Sequence, residues 1–274
     1  MADAYTVSIA SYALILGLTA AGAHVLLTAG LPSLGQAAYV GLGAYAALWC
    51  ARHFTTSALA LLVVAVGACL LAAAVLGVAL VRTRTSMFMI LTLMAGELAY
   101  VAAAQHGEGL AAPASSLWPG MRLTSDGHLY LYCLAVTATA LAGLWRLRRS
   151  RTWLIWRGIA DNETHLRTTG HHVENRLLMA YVTAAAAGGL AGALLVTAHR
   201  FVGPADMSSD VGALVLLAAI IGGRSAARTV AAAAALIAVR DLSGDLLAAH
   251  TPLLLGLVFL IAAYLPRWRR PAAT

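Results

Sequence analysis

Apolar runs of membrane length, separated by short polar or glycine-rich connections, recur along the whole chain. Residues 7–29 form a first run of the roughly 20 residues that a bilayer requires. It resembles a retained span more than a cleaved leader, because Asp3 and no Arg precede it and no soluble domain follows. Gly30-Leu-Pro-Ser-Leu-Gly35, with Gly41 and Gly43 beyond it, then interrupts the pattern before a short second span ends near Trp49. A break at membrane depth is tolerated only where other helices or a cavity satisfy the freed backbone groups, so a discontinuous helix is predicted over residues 30–43. Residues 57–81 and 87–104 predict a third and fourth span, joined by Arg82-Thr-Arg84. A long loop over residues 105–127, rich in Gly, Ala, Ser and Pro, precedes a span at 128–145. After the central polar segment come a span at 177–198, a turn at 203–210 and an apolar stretch at 211–221. That stretch is too short to cross a hydrocarbon core of roughly 30 Å as a helix and reads as a half helix ending at Gly222-Gly-Arg224. Residues 226–239, an outer loop at 241–251 and a last span at 252–265 complete the pattern. The expected fold is all-α and polytopic, one transmembrane domain over residues 1–274 with about eight to nine hydrophobic segments, including broken or re-entrant helices. Nine crossings put the N-terminus outside; a re-entrant segment at 30–50 puts it inside, and the pattern leaves both open.

The segment from Arg157-Gly-Ile-Ala-Asp-Asn-Glu163 to Arg176 differs in kind from the other connections. Each central Arg or Asp costs roughly 2.5–3.5 kcal/mol to insert, so this segment lies in water or in the groove of another protein. Ile155, Ile159 and Leu166 fall near helical spacing, with Arg157, Asp161, Glu163 and Arg167 on the other flanks. The pattern predicts a short helix across the membrane surface within a cytoplasmic loop at 152–176, shaped as a docking handle.

Composition sharpens this picture. Hydrophobic residues make up 61% of the chain and charged residues 11%, against about 25% charged in soluble domains, and the mean hydropathy is +0.82. The net charge of +7 comes from arginines at span ends rather than along one amphipathic face, which fits the positive-inside rule and argues against a nucleic-acid partner. On the nine-span topology fourteen arginines lie inside, and Arg52, Arg122, Arg200 and Arg240 lie outside. Cys50, Cys69 and Cys133 lack C-x-x-C spacing and read as small buried residues. No catalytic or metal site is predicted. The chain has no lysine and hence no Walker motif, and the adjacent His171 and His172 point about 100° apart on a helix.

Glu97 is the one acidic residue well inside an apolar span, a functional candidate by default unless it reaches water at the outer end or pairs with a polar neighbour. His24 reads as a hydrogen-bonded interior residue, and Gly41, Gly43, Gly188, Gly189 and Gly192 as sites of close helix packing. Interruptions in both halves of a chain occur beside the substrate path of repeat-built transporters. On that reasoning Ser33, Tyr39 and Tyr45, on the broken helix, join Glu97 as candidates for lining a path.

Several stretches carry a family resemblance. Ser33-Leu-Gly-Gln-Ala-Ala-Tyr-Val-Gly-Leu-Gly-Ala-Tyr45 is similar to the S-L-G-H-A-A-F-F-G-I-G-A-Y signature of the branched-chain amino acid ABC transporter permease, LivM type. The central segment from Arg157 to Glu163, Gly170, and Leu190-Ala-Gly192-Ala-Leu194 resemble the same family, as do Leu91-Thr-Leu-Met-Ala-Gly-Glu97, Gly107-Glu-Gly109-Leu and Ile221-Gly-Gly-Arg224. His24, Gly158 and Asp161 depart from the family's usual Asn, Ala and Glu. The resemblance implies a multi-pass protein of the bacterial inner membrane that carries branched-chain or similar small amino acids or amides. It implies a homologous LivH-like permease, two cytoplasmic ATPases, an extracytoplasmic solute-binding protein and membrane lipid as partners. ATP and Mg would belong to the ATPase, with no cofactor in this chain. Arg157, Asp161, Asn162, Glu163 and Gly170 would then make the ATPase-coupling contact, with Gly170 ending the coupling helix as a C-terminal cap. The competing reading is a stand-alone small-solute transporter or channel. A membrane-embedded enzyme or assembly factor is disfavoured by the lack of His, Asp or Cys clustered at one depth.

Overall fold

The structure, a computed structural model, describes residues 2–83, 85–105, 109–113, 116–118, 121–122, 126–170, 172–223 and 225–246. Ten α-helices occur among the described residues: α1 (Ala2–Thr28), α2 (Gln36–His53), α3 (Ala58–Leu80), α4 (Thr85–Ala104), α5 (Asp126–Arg148), α6 (Arg151–Asp161), α7 (Glu163–Thr168), α8 (Val173–His199), α9 (Ser209–Gly222) and α10 (Ala226–Leu246). Four strands of two or three residues, β1 (Leu110–Ala111), β2 (Ser116–Trp118), β3 (Met121–Arg122) and β4 (Phe201–Val202), and a 3-10 turn at Pro204–Met207 complete the order. By length and composition α1, α3, α4, α5 and α8 can each cross a membrane. The protein is an all-α, multi-pass membrane protein.

The bundle is built around α1 and α8, whose most apolar stretches are 72% buried; those of α3, α4 and α5 are 17–22% buried and turn Leu71, Val75, Met94, Leu98 and Leu131 outward. Lipid is as apolar as leucine, so burial alone does not hold such helices together, and small residues that let backbones approach do much of the work. A Cβ at Gly192 of α8 would lie 2.2 Å from the Val40 carbonyl oxygen of α2 and 2.6 Å from the Ala44 nitrogen; one at Gly43 would lie 2.8 Å from the Gly189 Cα. The packing role expected of Gly43, Gly188, Gly189 and Gly192 therefore holds, whereas Gly41 abuts only the flexible Met207 side chain.

The predicted break is shorter than the sequence suggested. It covers residues 29–35, and α2 then runs through Gly41 and Gly43 without interruption. Only Gly30 is a true breaker. Its φ of +80° closes α1 with bonds from the Gly30 N–H to Leu27 O (3.2 Å) and from the Leu31 N–H to Leu26 O (3.0 Å). This is a Schellman C-cap, with Pro32 preventing continuation. One end of α2 sits beside α6, where Gly30 meets Ala160, and the other beside β1, where Arg52 donates to the Ala111 carbonyl at 2.7 Å. It runs from the α6 side of the bundle to the β1 side, and α1, which ends beside α6, begins on the opposite side.

Three further expectations are corrected. The long outer loop contains structure: β1 pairs antiparallel with β4 in the register Leu110↔Val202 and Ala111↔Phe201, tying the loop to the end of α8. The central segment forms two helices rather than one. Asn162, at φ −157° and ψ 95°, ends α6 and caps α7 by accepting from the His165 N–H at 3.0 Å. Helix α10 continues to Leu246, through residues expected in a loop, because its alanine-rich run favours helix and nothing after it breaks the helix before Leu246. The half helix survives as the 14-residue α9, which ends at Gly222 against the Thr229 backbone. The span expected at 252–265, Arg84 and Glu108 lie outside the described residues.

Candidate functional site

Helices α2, α3 and α4 line a half-open cavity of about 560 Å³, bounded at one end by Gly35 and Thr92 and at the other by Leu110 and Met207. Along α2 it extends from Gly35 to Tyr45, about 15 Å at 1.5 Å per residue. Its walls are aliphatic, with Leu42, Leu76, Ala95, Ala99 and Ala103 prominent, and the polar groups that reach it are Tyr39, Tyr45, Tyr181 and Thr92. The Tyr39 and Tyr181 hydroxyls pair at 2.7 Å with their rings edge to face, and Phe88 meets the Tyr181 ring edge-on from behind. Thr92 donates to the Met89 carbonyl. No charged side chain among the described residues lines the cavity, so it favours an apolar body over a charge.

The four path candidates separate. Tyr39 and Tyr45 line the cavity. Ser33 does not: it is buried in the break at 2% exposure, and its hydroxyl has no hydrogen-bond partner among the described residues. Glu97 does not line it either; half-buried on α4, it follows Gly96, which does. Sequence reasoning missed Gln36, fully buried in the first turn of α2, whose Nε2 donates to the Ala184 carbonyl at 2.6 Å while its Oε1 has no partner among the described residues. A lone amide opening an otherwise apolar helix was the available signal.

On the far side of the break lie α6 and α7. Arg157, Asp161, Asn162, Glu163 and Gly170 are all exposed, so the structure brings the five coupling candidates onto one accessible segment. Gly170, at φ +83°, follows α7 and returns its N–H to the Arg167 carbonyl at 3.2 Å, the glycine cap that was expected. The segment is anchored by residues the sequence reading passed over. Trp156 is 1% exposed and donates from Nε1 to the Arg176 carbonyl at 2.7 Å; Trp153 lies between Trp156 and His24, its ring tilted against both. Arg167 binds Glu163 at 2.8 Å and Glu174 at 2.7 Å, lacing α7 to the start of α8. Hydrogen bonding to Glu163, reinforced by the charge of Glu174, holds its guanidinium above its ordinary pKa.

The break joins the two regions. A Cβ at Gly30 would lie 3.2 Å from the Ala160 Cα of α6, and one at Gly35 would lie 2.3 Å from the Thr92 carbonyl oxygen at the cavity's end. Residues 30–35 are therefore a short strut in backbone contact with α6 at one end and the cavity wall at the other. On the opposite face, Asp206 accepts from the Gly203 N–H at 3.0 Å beside Met207, and burial raises its carboxyl pKa against the opposing pull of that bond and of His199.

A comparison with protein-family models matches residues 5–263 to the family described as branched-chain amino acid transport system, permease component. No curated protein and no solved structure matches the chain.

Proposed function

The chain belongs to the family of branched-chain amino acid transport permease components, and from that premise we propose that it is the membrane subunit of an ABC importer, in which the cavity forms part of the path and α6–α7 docks an ATPase. The observation that carries this reading is the strut at residues 30–35, which touches α6 through Gly30 and the cavity wall through Gly35. The apolar walls suit the aliphatic side chains of branched-chain amino acids or similar small amino acids and amides; a cavity of about 560 Å³ falls within the roughly 300–1,000 Å³ usual for small-ligand sites.

In this mechanism two cytoplasmic ATPases bind ATP and Mg and close, displacing α6–α7. The buried Trp153 and Trp156 carry that motion into α1 and α8, and the Gly30 contact carries it into α2. Access to the cavity then alternates, because the permease presents different contacts to open and closed ATPase states; without such a difference no equilibrium shifts. A homologous LivH-like permease and an extracytoplasmic binding protein complete the assembly in the bacterial inner membrane. Asp161, Asn162, Glu163 and Arg157 make the ATPase contact, and Tyr39 and Tyr45 face the substrate.

Filling the cavity tests this reading. Ala99→Trp places an indole inside it, and leucine uptake into vesicles bearing the full assembly should fall at least about tenfold, equivalent to roughly 1.4 kcal/mol, while the ATPase still co-purifies. Undiminished uptake by that variant would remove the cavity from the path.

A further inference from the structure

A second cavity, of about 80 Å³, lies apart from the first, where the last turns of α1, the end of α5 and α6 meet the first turn of α10. His24, Arg148 and Trp153 face the stretch from Ser225 to Ala227 across it. His24 is 2% exposed, and its Nε2 has no hydrogen-bond partner among the described residues. Leaving such an atom unsatisfied costs about 1–3 kcal/mol, and buried polar atoms are rarely left so.

Much of the lining is aliphatic, and its polar side chains besides His24 are Arg148 and Ser225, with the indoles of Trp145 and Trp153. Helix α10 is 21 residues long, and its first helical bond runs from the Thr229 N–H to the Ser225 carbonyl at 3.0 Å. The N–H groups of Ala226, Ala227 and Arg228 precede that bond and have no partner within the helix, and they stand at the positive end of the helix dipole. Arg148 at the rim and Arg228 on the same turn are both exposed, and both act electrostatically on His24. Neither forms an ion pair among the described residues. No carboxylate among the described residues lines the cavity. An orphaned imidazole nitrogen, a helix N-terminus and guanidinium groups together call for an anion.

Size and depth narrow the class. The cavity is several times the roughly 10–15 Å³ that a single water needs, which leaves room for a tetrahedral oxyanion. Trp145 at the rim is 55% exposed, and the Arg149 guanidinium sits 3.7 Å above its ring. Exposed tryptophan with arginine marks the headgroup level of a membrane interface. We infer that this cavity binds a phosphate group, presented by an anionic phospholipid of the inner leaflet or as free inorganic phosphate, with the His24 Nε2–H, Arg148 and the first turn of α10 as its donors. The occupant would join α1, α5 and α10 behind Trp153, the residue that seats α6. The binding site itself does not depend on α6 docking an ATPase.

The test is native mass spectrometry of the full chain in neutral detergent, titrated with phosphatidylglycerol, with phosphatidylcholine as control and with inorganic phosphate in a parallel series. Phosphatidylglycerol or phosphate adducts should exceed those of phosphatidylcholine. They should weaken about tenfold or more in Arg148→Gln/Arg228→Gln, which removes the charge-assisted contact of Arg148 and the nearby charge of Arg228. The charge-matched pair Arg146→Gln/Arg151→Gln should retain them. Displacement of phosphatidylglycerol by inorganic phosphate identifies the free anion as a sufficient ligand, and retention against it identifies the lipid diester; either result upholds the site. Absence of any excess over phosphatidylcholine with both probes, or equal loss in the charge-matched pair, overturns it.

Discussion

At the scale of single residues, Trp156 holds the exposed α6–α7 segment in place. It is buried, and its indole N–H is committed to the Arg176 carbonyl. Trp156→Phe keeps most of the packing and should cost about 1 kcal/mol for the lost hydrogen bond. Trp156→Ala should cost about 3–5 kcal/mol, seen as a lower midpoint of thermal unfolding in detergent. Gly192 and Gly143 make a contrasting pair. Gly192→Ala forces a methyl to 2.2 Å from the Val40 oxygen, whereas nothing lies within 4 Å of a Cβ at Gly143. Overpacking should cost the first variant about 1–3 kcal/mol, while Gly143→Ala should be neutral or gain up to about 1 kcal/mol from helix propensity; the same melting assay separates them. The exposure of the polar residues on α6–α7 was legible because their charges cannot enter lipid. Trp153 and Trp156 were not, because a tryptophan beside arginines looks the same in a sequence whether it anchors in headgroups or packs into a bundle.

At the scale of elements, the spans were legible and their connections were not. A run of about 20 apolar residues has one physical meaning in a membrane, so α1, α3, α4, α5 and α8 lie close to where hydropathy places them. Glycine is ambiguous in the same setting. Gly30, Gly41 and Gly43 looked equally disruptive, yet only Gly30 adopts a positive φ and ends a helix, while Gly43 lets α2 and α8 touch. The β1–β4 pairing was invisible because two-residue strands carry no periodicity. The division of the central segment turns on the cap at Asn162. Asn162→Ala should weaken α7 by about 1 kcal/mol, measurable as faster amide exchange over residues 163–168 with exchange in the bundle helices unchanged; no change would remove Asn162 as the cap.

At the scale of the whole molecule, the parts form one series of contacts: an exposed pair of helices seated by tryptophans, a six-residue strut and an apolar cavity. The family and the multi-pass fold were legible from ordered motifs spread over most of the chain. The cavity was not, since Ala72, Ala95, Ala99 and Ala103 are indistinguishable in sequence from the many alanines that face lipid or fill the bundle. The central claim is that α6–α7 engages an ATPase, and the most direct measurement is recovery of co-purifying proteins from membranes. The intact chain is compared with a variant carrying Asp161→Ala, Asn162→Ala and Glu163→Ala. An ATPase is expected with the intact chain and lost with the variant, both chains being inserted in equal amount. Absence of an ATPase from both, together with solute movement into vesicles by the purified intact chain alone, would contradict the claim.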